Sequence, residues 1–237
     1  MQKTLSIKAP DGSIFDAYAA YPETDTKASA VIVIQEIFGV NAVMRDICRG
    51  ISQAGFIAVC PDLFWRQEKG VQLTDKTDKE WQKAFQLYQG FDIDLGVKDL
   101  ILTLHAVRKD EACSGKAGTV GYCLGGKLAF LMATRSDADC NISYYGVDID
   151  KYLNEVPDIR KPLLMHIAEK DDYVPLAAQH KILDALNKNP FADIHVYPGV
   201  NHAFARRGGK NYDKQAAQEA NSRTADFLAT HLMFQQN

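Results

Sequence analysis

Residues 30–35 read Ala-Val-Ile-Val-Ile-Gln, five apolar side chains in a row with no polar alternation. A strand made from them is apolar on both faces, so both faces must be covered. Covering both faces calls for helices on each side, and therefore for crossover connections and parallel strands. The rest of the chain supplies those parts. Further short apolar runs at 56–59, 119–122, 162–168 and 194–197 read as strands. Between them, Ile93, Val97, Leu100, Ile101, Leu104 and Val107 recur at three- and four-residue spacing, one face of a helix. Residues 128–134, 176–186 and 215–232 also read as helices. Residues 4–9 and 13–19 flank Asp11-Gly12, which predicts an opening hairpin. Strands alternating with helices give an α/β fold with a mostly parallel sheet of about eight strands.

One stretch breaks the alternation. Residues 66–90 are polar, with Trp81, Phe85 and Tyr88 on one face of a short helix. They read as a lid-like insertion near the carboxyl ends of the strands, where open α/β sheets place ligands. Without a Pro/Gly/Ser-rich linker or an internal repeat, residues 1–237 are expected to form one domain. The net charge is −3, with both signs mixed along the chain, so no basic patch points to nucleic acid. Residues 28–34 are too short an apolar run to span a bilayer, and residues 1–9 lack a secretory apolar core. A cytoplasmic monomer with no membrane partner is the expectation. Five cysteines without a C-x-x-C pair give no zinc or redox signature, and no metal is expected.

Residues 119–127 read Thr-Val-Gly-Tyr-Cys-Leu-Gly-Gly-Lys. This is the nucleophile-elbow pattern G-x-S-x-G with Cys123 in the serine position. The elbow is a strained strand-to-helix turn, and Gly121 and Gly125 leave room for it to approach its neighbours. The helix N-terminus that follows favours a thiolate. The same residues nearly match a phosphate-binding loop, Gly121-x4-Gly126-Lys127, but Leu128 stands where a Ser or Thr would hold magnesium. An elbow of this kind needs an acid and then a histidine later in the chain. Asp171 and Asp172 follow the strand at 162–168, and His202 follows the strand at 194–197. Spacing alone leaves both aspartates open. His105, His166, His180, His195 and His231 lie inside predicted helices or strands rather than in a loop at a strand's end.

With those parts in place, the sequence resembles the dienelactone hydrolase (carboxymethylenebutenolidase) family of α/β-hydrolases. The resemblance spans essentially the whole chain. It rests on Gln-Glu-Ile-Phe-Gly at 35–39, Cys-Pro-Asp-Leu-Phe at 60–64, Gly-Tyr-Cys-Leu-Gly-Gly at 121–126, Asp171 with Val174-Pro175, and Gly199 with His202, Phe204 and Arg206. It implies an α/β-hydrolase fold, no cofactor, and hydrolysis of a small lactone or ester through an acyl-thioester. It makes Cys123 the nucleophile, His202 the base and Asp171 the acid. It makes Glu36 a gate on the thiol, and the Ile37 and Leu124 amides the oxyanion hole. The family's reference members hold a substrate carboxylate between two arginines. Arg206 matches one of them, but the other falls near Trp81, and there is no arginine between Gln67 and Val107. Trp81 and Phe85 would make that wall apolar, with Lys79 or Lys83 as point charges, so a less charged ester or a different lactone is expected. Two alternatives stand beside this reading. One is a hydrolase-fold protein that binds a small ligand without turnover; the other is a nucleotide binder at 121–127.

Overall fold

The computed structural model describes residues 1–233. Among them, eight strands form a mostly parallel sheet accompanied by six α-helices. Contacts group the chain into two compact units, Met1–Ala117 and the residues from Gly118 onward.

In the first unit, β1 (Gln2–Lys8) and β2 (Ile14–Ala20) form the expected antiparallel hairpin, with Ile7 opposite Phe15. β2 then pairs antiparallel with β4 (Ile57–Pro61), and β4 pairs parallel with β3 (Ala28–Ile34). Every residue of β3 is buried, as its unbroken apolar run requires. The sequence reading leaves residues 41–54 without an element, yet α1 (Ala42–Gln53) lies there. Its sequence does carry a helical stripe, Val43, Met44, Ile47, Cys48 and Ile51, of which Met44 and Cys48 are buried and the others half-buried. Its start is set by Asn41, whose side chain accepts from the Met44 N–H. α2 (Asp78–Gln89) carries Trp81, Phe85 and Tyr88 and is capped by Thr77, whose oxygen accepts from the Glu80 N–H at 3.3 Å. α3 (Ile93–Arg108) is capped by Asp92 and buries Val97, Leu100, Leu104 and Val107 of the predicted face, while Ile93 and Ile101 are half-buried.

The second unit takes the carboxyl half of β5 (Cys113–Tyr122), then β6 (Asn141–Tyr144), β7 (Leu163–Ala168) and β8 (Ala192–Tyr197), all parallel. β6 was not legible. Its four residues alternate Asn-Ile-Ser-Tyr like a half-exposed segment, but all four are buried, and Thr119 Oγ1 donates to Asn141 Oδ1 at 2.8 Å. Its helices are α4 (Leu124–Arg135), α5 (Leu176–Leu186) and α6 (Lys214–Leu232). Register aligns Tyr122 with Tyr144, Tyr144 with His166, and Ala168 with Tyr197. The segments that follow these strands therefore leave from one edge of the sheet. Those segments contain Cys123, Tyr145, Asp171 and His202.

Candidate active site

The elbow begins where β5 stops. Cys123 has φ 57° and ψ −114°, a conformation costly for any residue with a Cβ. Backbone hydrogen bonds hold it there: its N–H donates to Tyr144 O at 3.1 Å, and its carbonyl accepts from Lys127 N at 3.2 Å. α4 starts at Leu124, directly after the cysteine, four residues earlier than the apolar run at 128–134 suggests. The thiol thus stands at a helix N-terminus, next to the Leu124 and Gly125 amides, which open the helix and have no acceptor within it. Ten consecutive residues of this helix, Leu124 to Ala133, are buried.

Two glycines make the tight turn possible. A Cβ on Gly121 would lie 1.9 Å from Gly125 O, and one on Gly126 would lie 2.5 Å from Tyr144 O and 2.8 Å from the Gly146 Cα. All of these neighbours are backbone, so no side chain can swing aside. Gly126→Ala is expected to destabilise the fold by about 1–3 kcal/mol. The check is a lower urea midpoint at unchanged slope; an unshifted midpoint would show that the turn has slack. Lys127, the cation of the phosphate-loop alternative, is buried, and its Nζ lies 3.1 Å from Asp148 Oδ2. Its charge is engaged inside the protein.

His202 follows β8. Its Nδ1 lies 2.9 and 3.0 Å from the two Asp171 oxygens, and both side chains are almost fully buried. Asp171 Oδ1 also accepts from the Tyr173 N–H at 2.8 Å and the Val174 N–H at 3.2 Å. Asp172 is exposed and engaged elsewhere, because Asn201 Nδ2 donates to its Oδ2 at 2.7 Å. Of the two aspartates that spacing left open, the structure pairs Asp171 with the histidine. Nδ1 faces Asp171, so Nε2 is the nitrogen left for the Cys123 thiol, which hydrogen-bonds the ring. Burial pushes the His202 pKa down. The Cys123 charge and the hydrogen bonds to Asp171 and Cys123 outweigh it and drive the value up to about 10.

Aromatic residues that the sequence reading left without a role enclose this histidine. The Tyr145 and Tyr173 rings meet it edge-to-face at 5.1 and 4.8 Å, and Phe204 packs on Tyr145 at 5.6 Å. An aromatic amid the charged turn Glu169-Lys170-Asp171-Asp172 was the available signal for Tyr173. Tyr145 follows the unrecognised strand β6 and gave none. His166, by contrast, is structural. Its ring bridges Tyr197 Oη at 2.8 Å and Thr224 Oγ1 at 3.0 Å, and burial holds its pKa down to about 3.

Among the residues of the first unit, Glu36 and Ile37 are both buried just beyond β3. Gly39, with φ 75°, lets this segment approach residue 71 so closely that a Cβ would sit 2.0 Å from Val71 O. Trp81 stacks on Phe85 at 5.6 Å and meets Phe38 edge-on at 5.0 Å, and its Nε1 donates to Asp75 O at 3.2 Å. The three rings form one aromatic group. Lys83 is paired with Glu68 at 2.5 Å, and Lys79 is exposed. In the second unit, Arg206 is buried rather than a surface residue like its neighbour Arg207. No cluster of three metal-ligating side chains occurs among the described residues. No helix among them is long and apolar enough to cross a membrane.

A profile of the dienelactone hydrolase family matches residues 15–232. The chain belongs to the dienelactone hydrolase family. A relative from Azospirillum brasilense is 51% identical, over 96% of this chain and 98% of its own. The carboxymethylenebutenolidase of Pseudomonas putida is 39% identical over 95% of each. A solved crystal structure from Klebsiella pneumoniae matches with a TM-score of 0.83 at 25% identity, covering 97% of this chain and 99% of that one. Membership brings the α/β-hydrolase fold with it, in agreement with the mostly parallel sheet and its flanking helices. Along this chain the Cys123 elbow, Asp171 and His202 follow one another in that order.

Proposed function

We propose that the chain hydrolyses a small ester or lactone through an acyl-thioester on Cys123. The observation that carries the reading is one imidazole held by a buried carboxylate on Nδ1 and by a strained, half-buried thiol on its other side. That constellation activates a sulfur for acyl transfer. The raised His202 pKa supports transfer of the Cys123 proton to the imidazole. The thiolate attacks the carbonyl carbon, the C–S bond forms, and the carbonyl π electrons move to oxygen. In this reading the Leu124 amide at the start of α4 donates to that oxyanion. Collapse breaks the C–O bond, and the leaving alkoxide takes the proton from His202 Nε2. Water then gives a proton to His202 and attacks the thioester, releasing the acid and the thiolate. With a lactone, both ends stay in one product. Glu36 and Ile37 keep the roles the family resemblance implies, as part of the same proposal.

The substrate class follows from what replaces the second arginine. The resemblance sets an arginine near Trp81; here Trp81 packs with Phe38 and Phe85, and no bidentate cation takes that arginine's part for a carboxylate. Arg206 remains the candidate for any carboxylate contact, so a less charged ester or lactone fits best. Rapid acid quench during turnover of a dienelactone or a short aryl ester, followed by mass spectrometry, tests the covalent step. The Cys123 peptide is expected to gain the acyl mass. Steady turnover with that peptide never modified would end the proposal.

A further inference from the structure

Tyr173 takes no part in the chemistry above. Its N–H donates to Asp171 Oδ1, which anchors the residue, and its ring stands against His202 at 4.8 Å with the planes at 70°. Unlike Tyr145, which is buried, Tyr173 remains 49% exposed, and Leu176 three residues on is 57% exposed. The surroundings of the phenol locate it further. Burial raises its pKa first, and the next contribution is the Cys123 charge, ahead of its sequence neighbours Asp172 and Asp171. The ring thus packs on the imidazole that hydrogen-bonds the Cys123 thiol, within reach of the thiol's charge, while about half of the residue stays uncovered. A ring that served only to prop His202 could be as buried as Tyr145 is.

We infer that the uncovered part of the Tyr173 ring is the surface against which the acyl group or lactone ring rests, so that Tyr173 selects flat, conjugated substrates over puckered, saturated ones of the same size. The inference rests on the acyl-transfer reading above. An acyl group bonded to Cys123 lies next to this ring. A planar π system can pack on it offset or edge-on, in contacts that a saturated ring cannot match. No bond to Tyr173 forms or breaks.

The test compares kcat/KM for p-nitrophenyl benzoate and p-nitrophenyl cyclohexanecarboxylate, which share a leaving group and a carbon count. Tyr173→Leu is expected to lower the benzoate-to-cyclohexanecarboxylate ratio about 3- to 10-fold relative to wild type, chiefly through KM. Tyr173→Phe is expected to keep the ratio, and Tyr173→Met gives a second reading should the leucine variant fold poorly. An unchanged ratio in both aliphatic variants overturns the inference. So does an equal loss of kcat for both esters with a shifted pH profile, because the ring would then only position His202. Should Cys123→Ala match wild type on both esters, the acyl-transfer reading itself falls. Should wild type depend on Cys123 while the ratio ignores Tyr173, only the present inference falls.

Discussion

Cys123→Ala is expected to lower kcat for a dienelactone or short aryl ester by about 10⁴-fold or more, with KM little changed. Removing the sulfur removes the attacking atom, whereas substrate contacts elsewhere remain. The fold should survive, because alanine carries the same Cβ into the strained elbow and the backbone bonds to Tyr144 and Lys127 are untouched. A second readout separates this from trivial damage. The thiol's charge and hydrogen bond are two of the forces that raise the His202 pKa, and burial opposes them. With the sulfur gone, the imidazole is expected to titrate at a lower pH than in wild type, as followed by NMR of its ring protons. Wild-type rates in the alanine protein would remove Cys123 from the mechanism. An unmoved His202 titration would show that the two groups do not interact.

The same pair shows what could be read in the chain and what could not. Cys123, His202 and the two candidate aspartates were visible because each follows an apolar run, where a parallel sheet exposes its loops, but only the contact with His202 separates Asp171 from Asp172. The hairpin around Gly12 and the apolar face of α3 were visible for the equally local reason of periodicity. β6 was invisible because burial on both faces there is achieved with Asn141 and Ser143, polar residues that a pattern reading counts as exposed. α1 was legible and overlooked, since Val43, Met44, Ile47, Cys48 and Ile51 recur at three- and four-residue spacing on one face. Tyr145 and Tyr173 belong to the site through three-dimensional packing on His202, and nothing in their spacing reports that. Likewise, the burial of Arg206 depends on what folds over it rather than on its neighbours in sequence, Ala205 and Arg207. Local chemistry could be read from order along the chain, while the enclosure of that chemistry could not.

Asp171→Asn is expected to lower kcat by about 10²- to 10⁴-fold while leaving the nucleophile in place. The backbone explains why so small a change should cost so much. The Tyr173 and Val174 amides both donate to Asp171 Oδ1, so the oxygen of an asparagine must take that position. Its NH₂ is then forced into the place of Oδ2, 2.9 Å from His202 Nδ1. A donor facing Nδ1 makes that nitrogen an acceptor and puts the ring proton on Nε2, the side that faces Cys123. The neutral imidazole can no longer take a proton from the thiol. The pH dependence gives the sign. In wild type the His202 pKa is raised from 6.5 to about 10, so the alkaline limb of kcat/KM falls as the imidazolium loses its proton there. Removing the carboxylate removes a raising influence and leaves burial opposed by Cys123 alone, so the limb moves to lower pH. The linked stability follows the same direction. A raised folded-state pKa contributes stability that is fully present below the unfolded value of 6.5 and is lost as pH rises through about 10. The stability gap between wild type and Asp171→Asn is therefore expected to be wide near pH 6 and to narrow toward pH 10, measured by urea unfolding across that range. A gap that widened with pH, or an alkaline limb that stayed in place, would mean that Asp171 does not set the charge of His202.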